Sequence, residues 1–255
     1  MNADHKHLAT VSQWLTQARR AVVFTGAGIS TESGIPDFRS PGGVWATNQP
    51  VYYEDFLASA EARHEYWRQK SEAHDAMFEA QPNTGHQMLA AWESKGNLRG
   101  IITQNIDGLH QRAGNTNVLE LHGTALHIIC IDCNHQYEAG PLVTDFRETN
   151  KVPPCPNCGG RLKHATISFG QSLVEEVLTE AYRWSEEADL MLAIGSSLVV
   201  TPAADLPRLA HQSGARLVII NRNSTPLDDL ADVVVRESIG DWLQQLTQAY
   251  QKQTP

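Results

Sequence analysis

The chain has 255 residues with a formal net charge of −9, and 41% of them are apolar. A chain of this length forms one large domain, or one domain with insertions. The acidic balance argues against direct nucleic-acid binding, since a phosphate backbone requires clustered Lys and Arg. No apolar stretch reaches the ~20 residues needed to span a bilayer, and the N-terminus lacks a signal-peptide pattern. These features predict a cytoplasmic protein that contacts neither nucleic acid nor a membrane.

The first strong element is the apolar run Ala21–Thr25, followed at once by the glycine-rich segment Gly26–Arg39, GAGISTESGIPDFR. A continuous apolar run predicts a buried strand of a parallel sheet. The Gly-x-Gly turn after it lets backbone N–H groups approach a phosphate closely. Thr31 replaces the third glycine of a dehydrogenase fingerprint, and no acidic residue follows a second strand about 20 positions on. The segment therefore predicts NAD-type phosphate binding, with little support for hydride transfer.

Three further apolar runs predict strands of the same sheet: Gly100–Thr103, Leu190–Ile194 and Leu217–Ile220. They end in the polar sequences QNIDG, GSS and NRN. In an open α/β sheet, ligands bind at the carboxyl ends of the strands. Ordinary turn chemistry is the alternative explanation for each end taken singly. Taken together, the polar ends of the predicted strands indicate one shared crevice for a polar ligand.

Helical periodicity fills the segments between the strands. The predicted helices are His7–Arg20, Phe56–Ala80, Thr84–Lys95, Val174–Glu187, Pro202–Gln212 and Ser238–Lys252. In the last of these, Trp242, Leu243 and Leu246 are expected to face the core. Two segments, Val44–Gln81 and Ile128–Leu162, interrupt the strand–helix alternation. The pattern predicts an α/β fold with a parallel sheet and two insertions.

The second insertion contains every cysteine of the chain, arranged as two Cys-x-x-Cys pairs: Cys130, Cys133, Cys155 and Cys158. Four thiolates in a tetrahedral array suit one Zn²⁺ and leave no open coordination position, so the metal would be structural. A dithiol redox site is the alternative, but it usually has a single pair beside a thioredoxin-like strand and helix. The nearby His127 and His135 are interpreted as surface or packing residues rather than ligands.

Several segments together resemble the sirtuins, a family of NAD-dependent protein deacylases. They are GAGISTESGIPDFR, TQNIDGLHQRAG, LELHG, the two Cys-x-x-Cys pairs, Phe169-Gly170, GSSLVV and INRN. The pair Tyr66-Trp67, with Gln81-Pro82-Asn83 downstream, is more similar to the mitochondrial-type second class, which includes bacterial members. The resemblance implies a Rossmann-like NAD-binding domain of residues 1–45, 98–127 and 163–255. It also implies a smaller lobe made of a helical module (46–97) and a four-cysteine zinc module (128–162).

The resemblance also implies a set of site residues. The residues expected to bind NAD are Gly26, Ala27, Gly28, Ser30, Asp37, Phe38, Arg39, Gln104, Asn105, Ile106, Asp107, Gly195, Ser196, Ser197, Asn221, Arg222, Asn223 and Ile239. Phe38 would cover the site that nicotinamide leaves, and Arg39 would bind phosphate through its planar fork. Asn105 and Asp107 would orient the nicotinamide carboxamide and a water. His122, a packing residue when considered alone, would be the general base.

The implied reaction is NAD-dependent removal of an acyl group, most simply acetyl, from a protein lysine. Its products are the free lysine, nicotinamide and O-acyl-ADP-ribose, and acyl-lysine peptide segments are the expected partners. Mono-ADP-ribosyl transfer or NAD hydrolysis at the same site is an alternative. A non-catalytic NAD-sensing module is a third possibility.

Two departures from the family pattern affect the expected substrate preference. Many members have Phe-Gly-Glu after the zinc module, whereas this chain has Gln171 after Phe169-Gly170. Members that remove acidic acyl groups present Tyr-x-x-Arg in the helical module. Here Arg68 stands one position too early after Tyr66, and we interpret it as a solvated side chain.

Overall fold

The computed structural model describes residues 3–37, 43 and 48–251. The strands are β1 Ala21–Thr25, β2 Gly100–Thr103, β3 Val118–Glu120, β4 Gly123–Cys130, β5 Gln136–Glu138, β6 Leu162–Thr166, β7 Leu190–Ile194, β8 Arg216–Ile220 and β9 Val233–Val235. The α-helices are α1 Ala3–Gln17, α2 Tyr53–Ala58, α3 Ala60–Glu79, α4 Thr84–Ser94, α5 Leu109–Ala113, α6 Ala139–Thr149, α7 Glu175–Glu187, α8 Asp205–Gln212 and α9 Ile239–Gln251. Short 3-10 helices cover Ala27–Ser33 and Asp228–Leu230.

A six-stranded sheet in the order β3-β2-β1-β7-β8-β9 forms the centre of the large lobe. Its neighbouring strands are parallel, and Thr25 lies level with Thr103 on one side and Ile194 on the other. The strand order reverses between β1 and β7. In doubly wound sheets, ligands bind at such a switch point, outside the carboxyl ends of the strands. The topology therefore places the segments after β1, β2, β7 and β8 along one crevice.

Helices cover both faces of this sheet, which is why its strands consist of continuous apolar residues. On one face the core contains Val11 of α1, Trp92 of α4 and Trp242 of α9. On the other face, Ala181 of α7 and Leu206 of α8 pack against the strands. The predicted inward orientation of Trp242, Leu243 and Leu246 is confirmed, since all three side chains are fully buried.

The smaller lobe has its own core beside an antiparallel three-stranded sheet in the order β5-β4-β6. Trp67 of α3 is fully buried there with Phe146 of α6, and its indole N–H donates to the backbone oxygen of Leu162 at 3.0 Å. Trp67 is thus a packing residue. Arg68 lies at the surface, where it forms ion pairs with Glu65 and Glu72.

The predicted central strands agree with the structure, whereas several helix limits differ. The predicted helix Phe56–Ala80 is wrong as a single element, because it is interrupted at Ser59. The hydroxyl of Ser59 accepts from the backbone N–H of Ala62 at 3.1 Å and caps α3, so this residue ends α2 in an extended conformation. The helix predicted from Pro202 begins at Asp205.

The packing of α4 and the start of β4 bear on the limits of the modules. Leu89 and Trp92 of α4 belong to the core of the large lobe, and β4 begins at Gly123 within the small-lobe sheet. We propose that the helical module ends before Thr84 rather than at 97, and that the zinc module starts at β4 rather than at 128. Among the described residues, no helix combines the length and apolar character required to cross a bilayer.

Candidate functional site

Two glycine-containing loops meet at the switch point of the large sheet. The backbone N–H of Gly28 donates to the Gly195 oxygen at 2.8 Å, and that of Gly26 donates to the Ile194 oxygen at 3.0 Å. A Cβ atom placed on Gly28 would lie 2.7 Å from the Gly195 oxygen, and one on Gly26 would lie 2.8 Å from Cβ of Ser196. Side chains are therefore excluded from this contact, and the two loops approach each other closely. A glycine-rich loop of this kind fits the phosphate groups of a dinucleotide.

A cavity of about 940 Å³ extends from these loops to the small lobe. Several of the residues predicted to bind NAD or to catalyse the reaction line this cavity. They are Ala27, Ser30, Gln104, Asn105, Ile106, Asp107 and His122. Ile167 to Gln171 line it from the segment that follows β6. The structure thus brings the predicted loop after β1, the loop after β2 and the predicted base together.

The side chains of Ser30, Asn105 and Asp107 form one hydrogen-bonded group. The hydroxyl of Ser30 donates to Oδ2 of Asp107 at 2.7 Å and accepts from Nδ2 of Asn105 at 3.1 Å. Nδ2 of Asn105 also donates to the backbone oxygen of Gly26 at 3.2 Å. Since Nδ2 makes both of these bonds, Oδ1 is the Asn105 atom left to accept a hydrogen bond. The backbone N–H of Leu109 fixes the other Asp107 oxygen at 2.9 Å.

A second buried layer supports this group from inside the sheet. Oγ1 of Thr103 accepts from the backbone N–H of Asn105 at 3.0 Å and from the hydroxyl of Thr25 at 2.8 Å. Nε2 of His110 lies 2.9 Å from the Thr25 hydroxyl, whose proton is already used, so this nitrogen is the donor. Sequence reasoning missed Thr25, Thr103 and His110 as supporting residues. The signal available was a threonine ending each of two neighbouring strands.

His122 is half-buried between the large sheet and the small lobe. Its Nδ1 donates to the backbone oxygen of Gln104 at 3.0 Å, which leaves Nε2 able to accept a proton. Burial lowers the pKa of this imidazole, with a smaller opposing effect from the hydrogen bond to Gln104. The Gln104 side chain accepts from the hydroxyl of Ser196 at 2.8 Å, which links the loops after β2 and β7.

The other predicted NAD-binding residues lie farther along the same edge of the sheet. Asn221, Arg222 and Asn223 follow β8, and Arg236 donates to the backbone oxygens of Asn221 at 2.7 Å and Asn223 at 2.6 Å. Ile239 opens α9 and packs against the large-lobe core. Sequence reasoning gave no role to Arg236, although it fixes the segment predicted to read the ribose.

The remaining predicted contacts belong to the loops already described. Gly195 and Ser196 are buried and Ser197 is half-buried at the switch point. Asp37 ends the described part of the segment after β1. Phe38 and Arg39 lie outside the described residues, so their predicted roles stay predictions.

The four cysteines converge at one end of the small lobe. Their Sγ atoms all lie within 4.8 Å of one another, with 3.6 Å between Cys130 and Cys158 and 3.8 Å between Cys133 and Cys155. Tetrahedral Zn²⁺ with bonds of about 2.3 Å requires ligand separations of roughly 3.8 Å, so the cluster fits this ion. Thiolates are the donors that zinc prefers, and the arrangement supplies the four ligands of a closed structural site.

Local backbone geometry forms the two turns that carry these thiols. Asn134 and Gly159 adopt left-handed conformations, with φ of 59° and 75°, directly after the two Cys-x-x-Cys pairs. Arg161 joins the turns, because its backbone N–H and its guanidinium both donate to Asp132, each with a bond of 2.6 Å. His127 lies 3.4 Å from Glu138 and is not part of the thiol cluster.

Replacing Gly28 by alanine is expected to weaken NAD binding by about tenfold or more, because the new Cβ would force the loop away from Gly195. Isothermal titration calorimetry with NAD measures the effect. Gly140→Ala is the matched control, since a Cβ there meets no atom within 4 Å. Equal NAD affinity of the Gly28→Ala and Gly140→Ala proteins would show that the close loop contact is not needed for binding.

The parallel sheet with its switch-point loops, the half-buried imidazole of His122 and the four-thiol lobe define an α/β nucleotide-binding protein with a structural metal site. The chain belongs to the Sir2 family, whose profile matches residues 26–202. It is 47% identical over 231 residues to NAD-dependent protein deacetylase 1 of Bradyrhizobium diazoefficiens, which covers 90% of this chain and 91% of that protein. It is 41% identical over 242 residues to the NAD-dependent protein deacetylase of Thermodesulfovibrio yellowstonii, with 95% and 94% covered.

Solved structures agree with this assignment. A Sir2 complex with a p53 peptide and NAD+ superposes with a TM-score of 0.86 at 38% identity, covering 94% of this chain and 96% of that chain. A Sir2 complex with deacetylated p53 peptide and 3'-O-acetyl ADP ribose superposes with a TM-score of 0.89 at 37% identity, covering 94% and 97%. The Rossmann-like fold and the two-lobe arrangement are thus those of the family.

Proposed function

We propose that this protein removes acyl groups, acetyl foremost, from the lysine side chains of other proteins and consumes NAD in doing so. The products are free lysine, nicotinamide and O-acyl-ADP-ribose, and one water is consumed. The observation that carries the proposal is the position of His122. An imidazole able to accept a proton lines the same cavity as the hydrogen-bonded group of Ser30, Asn105 and Asp107. A protein that only bound NAD would have no use for a base there.

The residues that would hold NAD are the ones at the switch point. The glycine-rich segment after β1 would bind its phosphates, and Asn105 would accept a hydrogen bond from the nicotinamide carboxamide through Oδ1. When bound, NAD supplies an activated ribose carbon that accepts the acyl oxygen as nicotinamide leaves. Asn105 and Asp107 are held by bonds of 2.7 to 3.2 Å, so they are already oriented before a ligand arrives. Preorganised polar groups of this kind are the main electrostatic contribution that a protein makes to such a reaction.

His122 would accept the proton that a ribose hydroxyl must lose for the acyl group to be transferred. The hydrogen bond from Nδ1 to Gln104 fixes the tautomer in which Nε2 is the base. Because burial lowers the pKa of His122, the imidazole is largely neutral at pH 7. The residue therefore has both the geometry and the protonation state that the step requires.

The acyl-lysine segment would enter the cavity beside the loop that follows β6. Phe169 and Tyr52 are exposed there, with ring centroids 6.0 Å apart, and the backbone N–H of Tyr53 donates to the Phe169 oxygen at 2.9 Å. Exposed aromatic rings at the edge of a cavity are suited to the aliphatic part of a lysine side chain. Gln171 closes the same loop by accepting from the backbone N–H of Ser168 at 3.1 Å.

We further propose that the protein acts in the cytoplasm and contacts neither nucleic acid nor a membrane directly. The clustered thiols support the first point, since a four-cysteine metal site suits a reducing compartment. The net charge of −9 supports the second, because it disfavours association with a phosphate backbone or an anionic lipid surface.

The experiment is incubation of the purified protein with NAD and an acetyl-lysine peptide, followed by mass spectrometry of all products. Deacetylated peptide, nicotinamide and O-acetyl-ADP-ribose in equal amounts are expected. ADP-ribose attached to protein would indicate mono-ADP-ribosyl transfer, and free ADP-ribose without loss of acetyl would indicate NAD hydrolysis. Unchanged NAD with intact peptide would leave only an NAD-sensing role. Each of these three results contradicts the proposal.

A further inference from the structure

Glu32 lies on the short 3-10 helix after β1, two residues beyond Ser30, and has no role in the function proposed above. Its carboxylate contacts the start of α9. Oε1 accepts from the hydroxyl of Ser238 at 3.1 Å, and both carboxylate oxygens lie 3.2 Å from the backbone N–H of Gly240. We call Glu32, Ser238 and Gly240 the α9 contact. It joins two segments that are more than 200 positions apart in the sequence.

The α9 contact requires a glycine at position 240. A Cβ atom placed there would overlap with Oε2 of Glu32, so a larger residue would displace the carboxylate. The helix that begins here has 13 residues, and the N–H groups of its first turn carry a partial positive charge. Hydrogen bonds from backbone N–H groups to a carboxylate are also stronger than those between neutral groups. Glu32 therefore fastens the first turn of α9 to the 3-10 helix.

Apolar and polar contacts join the same two elements to α4. A Cβ atom placed on Gly85 of α4 would lie 3.5 Å from Cγ1 of Ile29 and 3.5 Å from Cγ2 of Ile239. Asn83, which caps α4, donates from Nδ2 to the backbone oxygen of Ile29 at 2.7 Å and to the hydroxyl of Ser33 at 3.0 Å. The 3-10 helix and the starts of α4 and α9 thus meet at one place.

This meeting place lies between the two ends of the proposed NAD site. On the 3-10 helix, Ser30 bonds to Asn105 and Asp107 in the wall of the cavity that would hold the nicotinamide. Ile239, which is predicted to bind NAD, is half-buried and does not line that cavity. It follows β9, the neighbour of β8 in the sheet, and the segment predicted to read the ribose follows β8. A bound dinucleotide would extend from one of these ends to the other.

We propose that Glu32 is a positioning residue for the adenosine end of NAD. Its carboxylate would hold the first turn of α9, with Ile239, at a fixed separation from the glycine-rich segment that binds the phosphates. A site that is ordered before the ligand arrives loses less conformational freedom on binding, so its affinity is higher. This role rests on the proposed function, because it places NAD along this edge of the sheet. The chemical step should be unaffected, since the bonds of Glu32 run to α9 and not to Asn105 or His122.

The test measures ADP binding by isothermal titration calorimetry, because ADP has the adenosine and the phosphates but no nicotinamide. Glu32→Ala is expected to raise the Kd for ADP by about tenfold, since hydrogen bonds to a charged group are lost. Glu32→Gln keeps one accepting oxygen and should give a smaller increase. In steady-state kinetics, the KM of Glu32→Ala for NAD should rise by the same factor as the Kd, with kcat within about twofold of the wild type.

Glu237→Ala is the matched control for these measurements. Glu237 precedes Ser238 directly, and its side chain forms no hydrogen bond or ion pair with any residue that the structure describes. The substitution therefore removes the same charge at the same place and leaves the α9 contact intact. Its Kd for ADP and its KM for NAD should equal those of the wild type.

Gly240→Ala provides a second test of the α9 contact. The added Cβ would displace the carboxylate, so ADP binding should weaken about as much as in Glu32→Ala. The double variant Glu32→Ala/Gly240→Ala should bind ADP no more weakly than Glu32→Ala alone, because the contact is already lost. Circular dichroism shows which variants are folded. If Glu32→Ala is not, Glu32→Gln and Gly240→Ala decide the question.

The outcomes separate the role of Glu32 from the proposed function. Equal ADP affinity in Glu32→Ala and Glu237→Ala would overturn this role, and so would losses that add up in the double variant. A lower kcat at saturating NAD with unchanged ADP affinity would overturn it as well, because Glu32 would then act at the nicotinamide end. A wild-type protein that binds ADP but removes no acyl group would contradict the proposed function alone, since the ADP comparison does not depend on catalysis.

Discussion

Replacement of His122 by alanine is expected to lower kcat for deacylation by at least about a hundredfold, the range in which a positioned general base contributes. The physical reason is the loss of Nε2, the atom that the bond from Nδ1 to Gln104 leaves free to accept a proton. NAD binding should change little, since Ser30, Asn105 and Asp107 hold one another without the imidazole. Steady-state kinetics with an acetyl-lysine peptide and calorimetry with NAD measure the two effects.

The pH profile provides an independent check on the same residue. Because burial lowers the pKa of His122, its neutral form persists to lower pH than that of an exposed histidine. Activity should therefore rise with pH through a value below about 6.5 and then level off. That acid limb should be absent from the residual activity of His122→Ala. A folded His122→Ala protein with wild-type turnover, or an acid limb that survives the substitution, would contradict the assignment of the base.

Removal of the zinc is expected to unfold the small lobe and abolish deacylation. Structural zinc contributes an apparent binding free energy of about 10–16 kcal/mol in small zinc-binding peptides, which is also folding free energy. Cys155→Ala removes one of four thiols that lie within 4.8 Å of one another. The variant should bind less than one zinc per chain and unfold at a lower temperature than the wild type. Elemental analysis and thermal denaturation followed by circular dichroism measure these effects.

His135→Ala is the control for this experiment. His135 is exposed beside the first cysteine turn and is not a member of the thiol cluster. Its substitution should leave zinc content and activity near wild-type values. Full activity in a metal-free Cys155→Ala protein would show that the cluster is not needed to hold the lobe together.

The sequence predicted the structure best at the ends of the central strands, where the candidate site residues lie. The limits of β1, β2 and β7 were predicted to the residue, because short buried strands are continuous apolar runs bounded by turn residues. The three-residue strands β3 and β9 were missed, since runs of this length have no periodicity to detect. The break at Ser59 was also missed. A serine within a helical pattern can either continue the helix or cap a new one. Only the hydrogen bond from the backbone N–H of Ala62 shows that the Ser59 hydroxyl caps α3.

By itself the sequence determined the class of fold and the two Cys-x-x-Cys pairs, because these depend on residue type and short spacing, whereas the grouping of Gly28, Asn105 and His122 was implied by the resemblance to the sirtuins. In the glycine-rich segment after β1, the hydroxyl of Ser30 has a structural role, since it links Asn105 to Asp107. The tertiary structure alone decided which basic side chains lie around Tyr66. Lys70 and Lys163 are 93 positions apart, and the packing of α3 on β6 brings both to the ring of Tyr66. No local pattern encodes such a contact, because it arises from long-range burial of apolar faces rather than from spacing along the chain.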